Sequence, residues 1–202
     1  MKKRILTCLM AVSLLVSLLA VPVGAASVTK FSDVSDSYTA TAIETLRLMG
    51  VLDGYGDGTF RPDTVLNRAQ FCKMAVYAMD GSGELGRYST VTIFPDVKPS
   101  HWASAYINMA SRKGIISGFA DGKFKPGQTV TAGQAVTILM RGLGYKDEDM
   151  GGVWPQSYMA EAQTNGLLKS TGITSAYAGV TRAQAAKLFI NLFDAKHGKG
   201  DV

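Results

Sequence analysis

The 202-residue sequence lacks most of the residue types on which metal sites, disulfides and hydrolytic catalysis depend. It contains two cysteines and two histidines, and no histidine lies at ligand spacing from a cysteine, so no zinc site is indicated. Cys72 is the only cysteine beyond residue 25, which excludes an intrachain disulfide there and favours a small buried side chain over a reactive thiol. The sequence shows no Ser-His-Asp set, nucleophile elbow or phosphate-binding loop, and we expect no enzyme activity, cofactor or metal.

Long apolar runs and excess charge are also missing once the first residues are set aside. Residues 2–4 are basic, residues 5–21 are apolar, and small residues follow, a pattern that predicts a secretory signal peptide at residues 1–25. Its apolar run is shorter than the roughly 20 residues of a membrane-spanning helix, so we expect no membrane contact after cleavage. Cleavage would remove three positive charges from the formal net charge of +5 and leave +2, which does not favour nucleic-acid binding.

A nine-residue loop occurs twice in the chain. Residues 54–62 read Gly-Tyr-Gly-Asp-Gly-Thr-Phe-Arg-Pro, and residues 118–126, which lie 64 positions later, read Gly-Phe-Ala-Asp-Gly-Lys-Phe-Lys-Pro. Five of the nine positions are identical, and three others keep aromatic, polar or cationic character. Glycine, Asp-Gly and proline are typical of a turn, and the fixed offset indicates a duplicated structural unit.

Helices are predicted on both sides of each loop. Gly50 and Gly114, again 64 residues apart, are placed to end the first helix of each copy. The second helix of each copy begins after a capping residue with glutamine three positions on, at Asn67, Thr131 and Thr181. The sequence therefore predicts three hairpin-like helical pairs that share one core, because each copy alone has too little apolar surface.

The third copy is shorter and less regular than the first two. Gly166 follows Gly114 by 52 residues, and a small, polar connection at residues 170–179 replaces the glycine-rich loop. We therefore divide the chain into the signal peptide at 1–25, repeats at 26–87, 88–144 and 145–195, and a polar tail at 196–202. The composition of residues 81–86 predicts a linker between the first two repeats.

Four motifs recur in the same order along the chain. They are an F-x-D-V start at Phe31 and Phe94, an aromatic helix opening, the glycine-rich loop and the capped helix start. Together they resemble the S-layer homology (SLH) module over residues 31–193. The resemblance implies a mainly α-helical fold, in which three helix-loop-helix repeats pack as a pseudo-threefold helical spindle. It also implies that the chain is a non-catalytic anchoring module, and that the protein is secreted and lies at the cell wall and cell surface (S-layer).

The resemblance further implies that the chain binds cell-wall glycan in grooves between neighbouring repeats, either an acidic, pyruvylated secondary polysaccharide or peptidoglycan. Matching of motif positions implies nine glycan-binding residues: Asp33, Tyr38, Gly54, Arg68, Asp96, Trp102, Gly118, Trp154 and Arg182. Arginine can hold a carboxylate with two parallel bonds, aromatic faces stack on sugar rings, and glycine lets backbone N–H groups approach a ligand. The second copy has Ala132 in place of the arginine and the third lacks the loop, so fewer than three working grooves are expected.

Purely structural roles stay open at these positions. The two arginines could be solvated residues of a first helical turn, the two tryptophans could be core residues, and Asp33 and Asp96 could cap the helices that follow them. The Asp-Gly loops lack the full ligand series of a calcium site, so a turn is favoured there. As an alternative function, the chain could be a structural or scaffolding surface protein that has lost glycan binding and docks another protein.

Overall fold

The computed structural model of the protein describes residues 31–79 and 82–198, and the predicted signal peptide lies outside them. Within these ranges the chain is mainly helical, and its only β pairings are isolated bridges. The α-helices are α1 Ser37–Leu48, α2 Arg68–Ala78, α3 Ser104–Arg112, α4 Ala132–Gly142, α5 Gln156–Thr164 and α6 Arg182–Gly198. Two 3-10 helices lie at Ser82–Tyr88 and Asp147–Asp149. The first 3-10 helix takes the place of the predicted linker, and α6 extends into the predicted polar tail.

The second helix of each repeat begins at a capping box, which confirms the prediction from sequence. Asn67 accepts the N–H of Gln70 at 2.8 Å, and the Gln70 side chain accepts the N–H of Asn67 at 2.9 Å. Corresponding bonds form at the starts of α4 and α6, between Thr131 and Gln134 and between Thr181 and Gln184. Because N–H groups without a helical partner are satisfied there, these bonds fix where α2, α4 and α6 begin.

The first helix of each repeat ends as predicted but begins differently. Gly50 and Gly114 both have a φ of 71°, a left-handed conformation that suits glycine after a helix. The cap of α1 is Asp36, whose carboxylate accepts the N–H of Thr39 at 3.0 Å. The hypothesis that Asp33 and Asp96 cap the following helices is therefore wrong, since α3 begins without a side-chain cap.

Three buried aliphatic residues form a closed ring of backbone hydrogen bonds at the centre of the molecule. The N–H of Leu66 donates to the carbonyl of Val180 at 2.9 Å, that of Val180 to Val130 at 3.0 Å, and that of Val130 to Leu66 at 3.0 Å. Each residue stands just before the second helix of its repeat, and all three side chains are buried. The ring satisfies buried backbone groups and defines the pseudo-threefold axis that the sequence predicts.

The main helix pairings join neighbouring repeats. The second helix of each repeat packs against the first helix of the next, which gives the pairs α2 with α3, α4 with α5 and α6 with α1. The predicted order of helix, loop and helix in each repeat is confirmed, but the prediction that these two helices pack against each other is wrong. Because α6 returns to α1, the three pairs close into a spindle and bury one shared core, in which the Phe71 and Phe189 rings meet at 5.2 Å.

The glycine-rich loops are held to this core by their second aromatic residue. Phe60 and Phe124 are fully buried, and their rings lie 5.6 and 5.5 Å from those of Phe31 and Phe94. The loops therefore have a fixed position between neighbouring helix pairs. In the part of the chain that the structure describes, no helix has both the length and the apolar character needed to cross a membrane.

Candidate functional site

A cavity of about 350 Å³ opens between α4 and α5 and is bounded by the second glycine-rich loop. We call it the α4–α5 groove. Three of the nine residues predicted from sequence line it, namely Arg68, Gly118 and Trp154. The other six do not line it: Asp33, Tyr38, Gly54, Asp96, Trp102 and Arg182. The groove is therefore built from all three repeats, because Arg68 belongs to the first, Gly118 to the second and Trp154 to the third.

Arg68 is a buried residue of the groove wall, with 5% of its surface exposed. Its Nε donates to the Phe124 carbonyl at 2.8 Å, and its Nη2 donates to the Ser117 carbonyl at 3.2 Å. The guanidinium also lies over the Phe119 and Phe124 rings, at 4.6 and 4.5 Å from their centres. The alternative of a solvated first-turn arginine is therefore wrong. Arg68 ties the first repeat to the loop of the second.

No carboxylate of the described residues lies within salt-bridge distance of Arg68. Burial lowers the pKa of Arg68 to about 10, and the side chain still carries its charge at neutral pH. Its Nη1 donates no hydrogen bond to the described protein. The groove thus contains a desolvated cation with a free donor, which can form a strong, charge-assisted hydrogen bond with an anionic group.

Arg182 repeats this arrangement one interface further on. Its Nε donates to the Phe60 carbonyl at 2.8 Å, and its Nη2 donates to the Asp53 carbonyl at 2.6 Å. The guanidinium lies 5.1 Å from the centre of the Tyr55 ring and 4.3 Å from that of Phe60. Burial lowers its pKa, and it has no ion pair with a described residue. Arg182 ties the third repeat to the loop of the first, beside the α2–α3 pair.

The third position of this cycle is Ala132, at the start of α4. Its N–H donates to the Ala178 carbonyl at 2.9 Å, as the N–H of Arg68 does to Gln128 and that of Arg182 does to Thr64. Ala132 therefore faces the irregular connection of the third repeat. The two departures from the repeat pattern, the missing arginine and the missing loop, meet at one interface, which lies beside the α6–α1 pair.

The aromatic residues that open the first helices lie at the surface. Trp102 is 55% exposed and Trp154 is 50% exposed, so the alternative that they are core residues is wrong. The indole Nε1 of Trp154 donates to Thr137 Oγ1 at 3.0 Å, which orients its ring at the groove mouth. Tyr38 is 38% exposed, and its hydroxyl donates to Asn191 Oδ1 at 3.0 Å.

Asp33 and Asp96 hold the glycine-rich loops in place. Asp33 accepts the N–H groups of Phe60 and Arg61 at 2.8 and 2.7 Å, and Asp96 accepts those of Phe124 and Lys125 at 2.9 and 2.7 Å. The Phe60 N–H holds the pKa of Asp33 below its usual value. At Asp96 burial acts to raise the pKa, but the N–H groups of Phe124 and Lys125 outweigh it, and the pKa of Asp96 is also lowered. These carboxylates are therefore occupied by backbone donors.

Gly54 and Gly118 have a packing role that the sequence did not reveal. A Cβ on Gly118 would stand 2.6 Å from the Phe94 ring, and one on Gly54 would overlap the Phe31 ring. Both positions therefore require glycine for the close approach of an aromatic ring. Gly118 also lines the α4–α5 groove.

Sequence reasoning missed a polar cluster that lines the same groove. Arg141 donates twice to Asp147, at 2.9 and 2.7 Å, and once to Ser117 Oγ at 3.1 Å. The Tyr158 hydroxyl donates to the same carboxylate at 2.5 Å. Arg141 and Tyr158 together lower the pKa of Asp147. The other repeats have Tyr77 and Asn191 at the position of Arg141, so no motif that repeats in the sequence indicates this cluster.

A family model described as the S-layer homology domain matches residues 30–72 and 93–136. These ranges contain α1, α3, both glycine-rich loops and the starts of α2 and α4. The chain belongs to the S-layer homology family. Seven of the nine predicted site residues of this SLH protein lie in the matched ranges, and Trp154 and Arg182 lie beyond them.

The SLH chain is similar to several curated proteins. It is 37% identical over 166 residues to a cell surface protein of Thermoanaerobacter kivui, which covers 81% of this chain and 21% of that protein. It is 32% identical over 158 residues to a middle cell wall protein of Brevibacillus brevis, which covers 77% and 14%. It is 32% identical over 115 residues to a cellulosome-anchoring protein of Acetivibrio thermocellus, which covers 56% and 26%.

The SLH chain thus spans only a small part of the length of these relatives. The family and the relatives together indicate a secreted protein of the cell surface. The SLH family also supports an anchoring role at the cell wall. One further relative, from Bacillus anthracis and 29% identical, is named as an uncharacterized cell wall amidase.

Proposed function

We propose that the chain is a non-catalytic anchoring module that binds an acidic cell-wall glycan in the α4–α5 groove. The observation that supports this most directly is Arg68, a buried guanidinium without an ion pair among the described residues, with Nη1 free to donate. A carboxylate on a sugar, such as that of a pyruvyl group, would accept a hydrogen bond from this nitrogen. The partner would be a secondary wall polysaccharide that carries such groups, with peptidoglycan as the other candidate.

The groove supplies the remaining interactions that a sugar requires. The exposed face of Trp154 offers apolar area for the C–H face of a pyranose ring. Gly118 lines the groove at the loop, and Ser117 and Gln134 contribute polar atoms for hydroxyl groups. A cavity that combines apolar area with a few fixed polar groups is the usual form of a small-ligand site.

We further propose that the α2–α3 interface is a second site. It retains an arginine, Arg182, a complete loop that contains Gly54, and a tryptophan, Trp102, before its first helix. The α6–α1 interface has Ala132 and no such loop, and Tyr38 there is bonded to Asn191. Asp33 and Asp96 would act indirectly, because they fix the loops. The chain would then bind two acidic groups. We also propose that the repeats have the boundaries predicted from sequence.

Co-sedimentation with purified sacculi of the producing organism tests the proposal. The protein should sediment with intact sacculi and stay in solution once the secondary polysaccharide has been stripped. Retention on stripped sacculi would indicate peptidoglycan as the ligand, and no sedimentation with either preparation would refute the proposal. Incubation with labelled sacculi should release no label, whereas turnover would indicate an enzyme instead.

A scaffolding protein that docks another protein is the alternative. The paired variant Arg68→Gln with Arg182→Gln separates the two functions, because it removes both unpaired charges from the proposed glycan sites. Loss of sedimentation in the folded variant supports glycan binding, and unchanged sedimentation supports docking to a wall protein. Arg112→Gln is the matched control, since Arg112 is an exposed arginine in the last turn of α3.

A further inference from the structure

Exposed apolar side chains cluster outside the α4–α5 groove. Tyr177 is 66% exposed and Val153 is 74% exposed, next to Trp154 at the groove mouth. A single exposed apolar residue is ordinary, but a group of them beside a cavity is typical of an interaction site. Neither Tyr177 nor Val153 belongs to a motif that repeats along the chain.

The segments that carry Trp154 and Tyr177 meet at the start of α4. A Cβ on Gly133 would stand 2.7 Å from Pro155 Cβ and 3.2 Å from the Ala176 carbonyl oxygen. Trp154 and Tyr177 are the chain neighbours of these two residues, so both belong to segments that contact the same glycine. Gln134, the next residue of α4, lines the groove, which therefore opens beside this pair.

Tyr177 is held in position although most of its ring is exposed. The carbonyls on either side of it, at Ala176 and Ala178, accept the N–H groups of Gly133 at 2.7 Å and Ala132 at 2.9 Å. Its hydroxyl accepts a hydrogen bond from Gln156 Nε2 at 2.9 Å. A ring that is already fixed loses little conformational entropy when a ligand covers it.

The corresponding positions in the other repeats carry no aromatic side chain. Alignment on the central ring residues Leu66, Val130 and Val180 places Tyr177 opposite Asp63 and Gly127. An aromatic residue beside Trp154 is therefore specific to the α4–α5 groove. This difference distinguishes that groove from the α2–α3 interface, which otherwise has the same parts.

We infer that Trp154, Gln156 and Tyr177 form a second sugar subsite, outside the groove, for a neutral pyranose that adjoins the acidic sugar. The inference rests on the proposed function, since the subsite would bind the next unit of the same glycan. The C–H face of the sugar would stack on the two aromatic rings. Within the described residues, Gln156 uses one N–H towards Tyr177, so its amide oxygen and second N–H stay free for a sugar hydroxyl.

The test compares two fragments of the wall polysaccharide from the producing organism, purified by size. One is a single acidic sugar, and the other is an acidic oligosaccharide of several units. The unmodified protein should bind the longer fragment more tightly. Tyr177→Ala should weaken binding of the longer fragment about fivefold, as expected for loss of one partly covered ring, and leave the shorter one unchanged. Tyr177→Phe should retain most of the affinity.

Leu48→Ala is the control for loss of exposed apolar surface, because Leu48 is 71% exposed on α1 and lies away from the groove. Equal binding of the two fragments by the unmodified protein would overturn the subsite. An equal loss for both fragments in Tyr177→Ala would also overturn it. If neither fragment binds the unmodified protein, the proposed function itself fails, which is a separate result.

Discussion

At the scale of single residues, the two arginines do more than the sequence indicates. A motif predicts their positions, but it does not state what a side chain touches. In the structure each guanidinium donates to two carbonyls of a neighbouring loop and covers its aromatic rings. The same side chain therefore joins repeats and leaves a charge beside the groove, so substitution is expected to affect stability as well as binding.

Arg68→Lys should lower the free energy of unfolding by about 1.5–3 kcal/mol, the range for hydrogen bonds to charged groups. Lysine keeps the charge but cannot reach the Phe124 and Ser117 carbonyls with a planar fork. Urea denaturation measures the difference, with Arg112→Lys as the exposed control. Equal stability of the two variants would show that the carbonyl bonds contribute nothing.

Two aspartates predict how stability depends on pH. The pKa of Asp36 is lowered to about 2, mainly by the Thr39 hydroxyl, and that of Asp57 to about 2, mainly by the Thr59 hydroxyl. In the unfolded chain both carboxyl groups would have a pKa of about 3.9. Their contribution is therefore complete above about pH 4 and is lost as the pH falls towards 2.

Urea midpoints measured from pH 6 to pH 2 should fall most steeply in this acidic window. Asp57→Asn should reduce the slope, because its amide has no proton to gain there. Asp63→Asn serves as a control, since this exposed aspartate makes no ion pair in the described structure. A midpoint that stays constant down to pH 2 would contradict the assignment.

At the scale of helices and loops, sequence reasoning succeeded where local chemistry decides and failed where distant contacts decide. The capping glutamines make their hydrogen bonds three residues away, and the glycines after helices act through their own backbone conformation. Both could therefore be recognised from the sequence. Apolar periodicity shows which face of a helix is buried but does not name its partner. The pairing across repeats, and the reach of Asp33 to Phe60, therefore became apparent only in three dimensions.

Two glycines of the first loop offer a matched test of packing. Gly54→Ala should destabilise the protein by about 1–3 kcal/mol, because the added methyl group overlaps the Phe31 ring. Gly56→Ala should change stability little, since a Cβ at Gly56 meets no atom within 4 Å and its backbone is not left-handed. Thermal unfolding distinguishes the two, and similar melting temperatures would contradict the packing role of Gly54.

At the scale of the whole molecule, threefold order and its partial loss together determine what the chain can bind. The ring of Leu66, Val130 and Val180 shows that the third repeat keeps its place although its loop has changed. The fold therefore survives divergence at one interface. Both lost elements fall beside the α6–α1 pair, so two interfaces retain the arginine and the loop.

The number of acidic glycan fragments bound per chain tests this account most directly, and titration calorimetry measures it. The account predicts two sites in the unmodified protein, one in either Arg68→Gln or Arg182→Gln, and none in the double variant, with folding verified by circular dichroism. Three sites, or a double variant that binds as well as the unmodified chain, would contradict it.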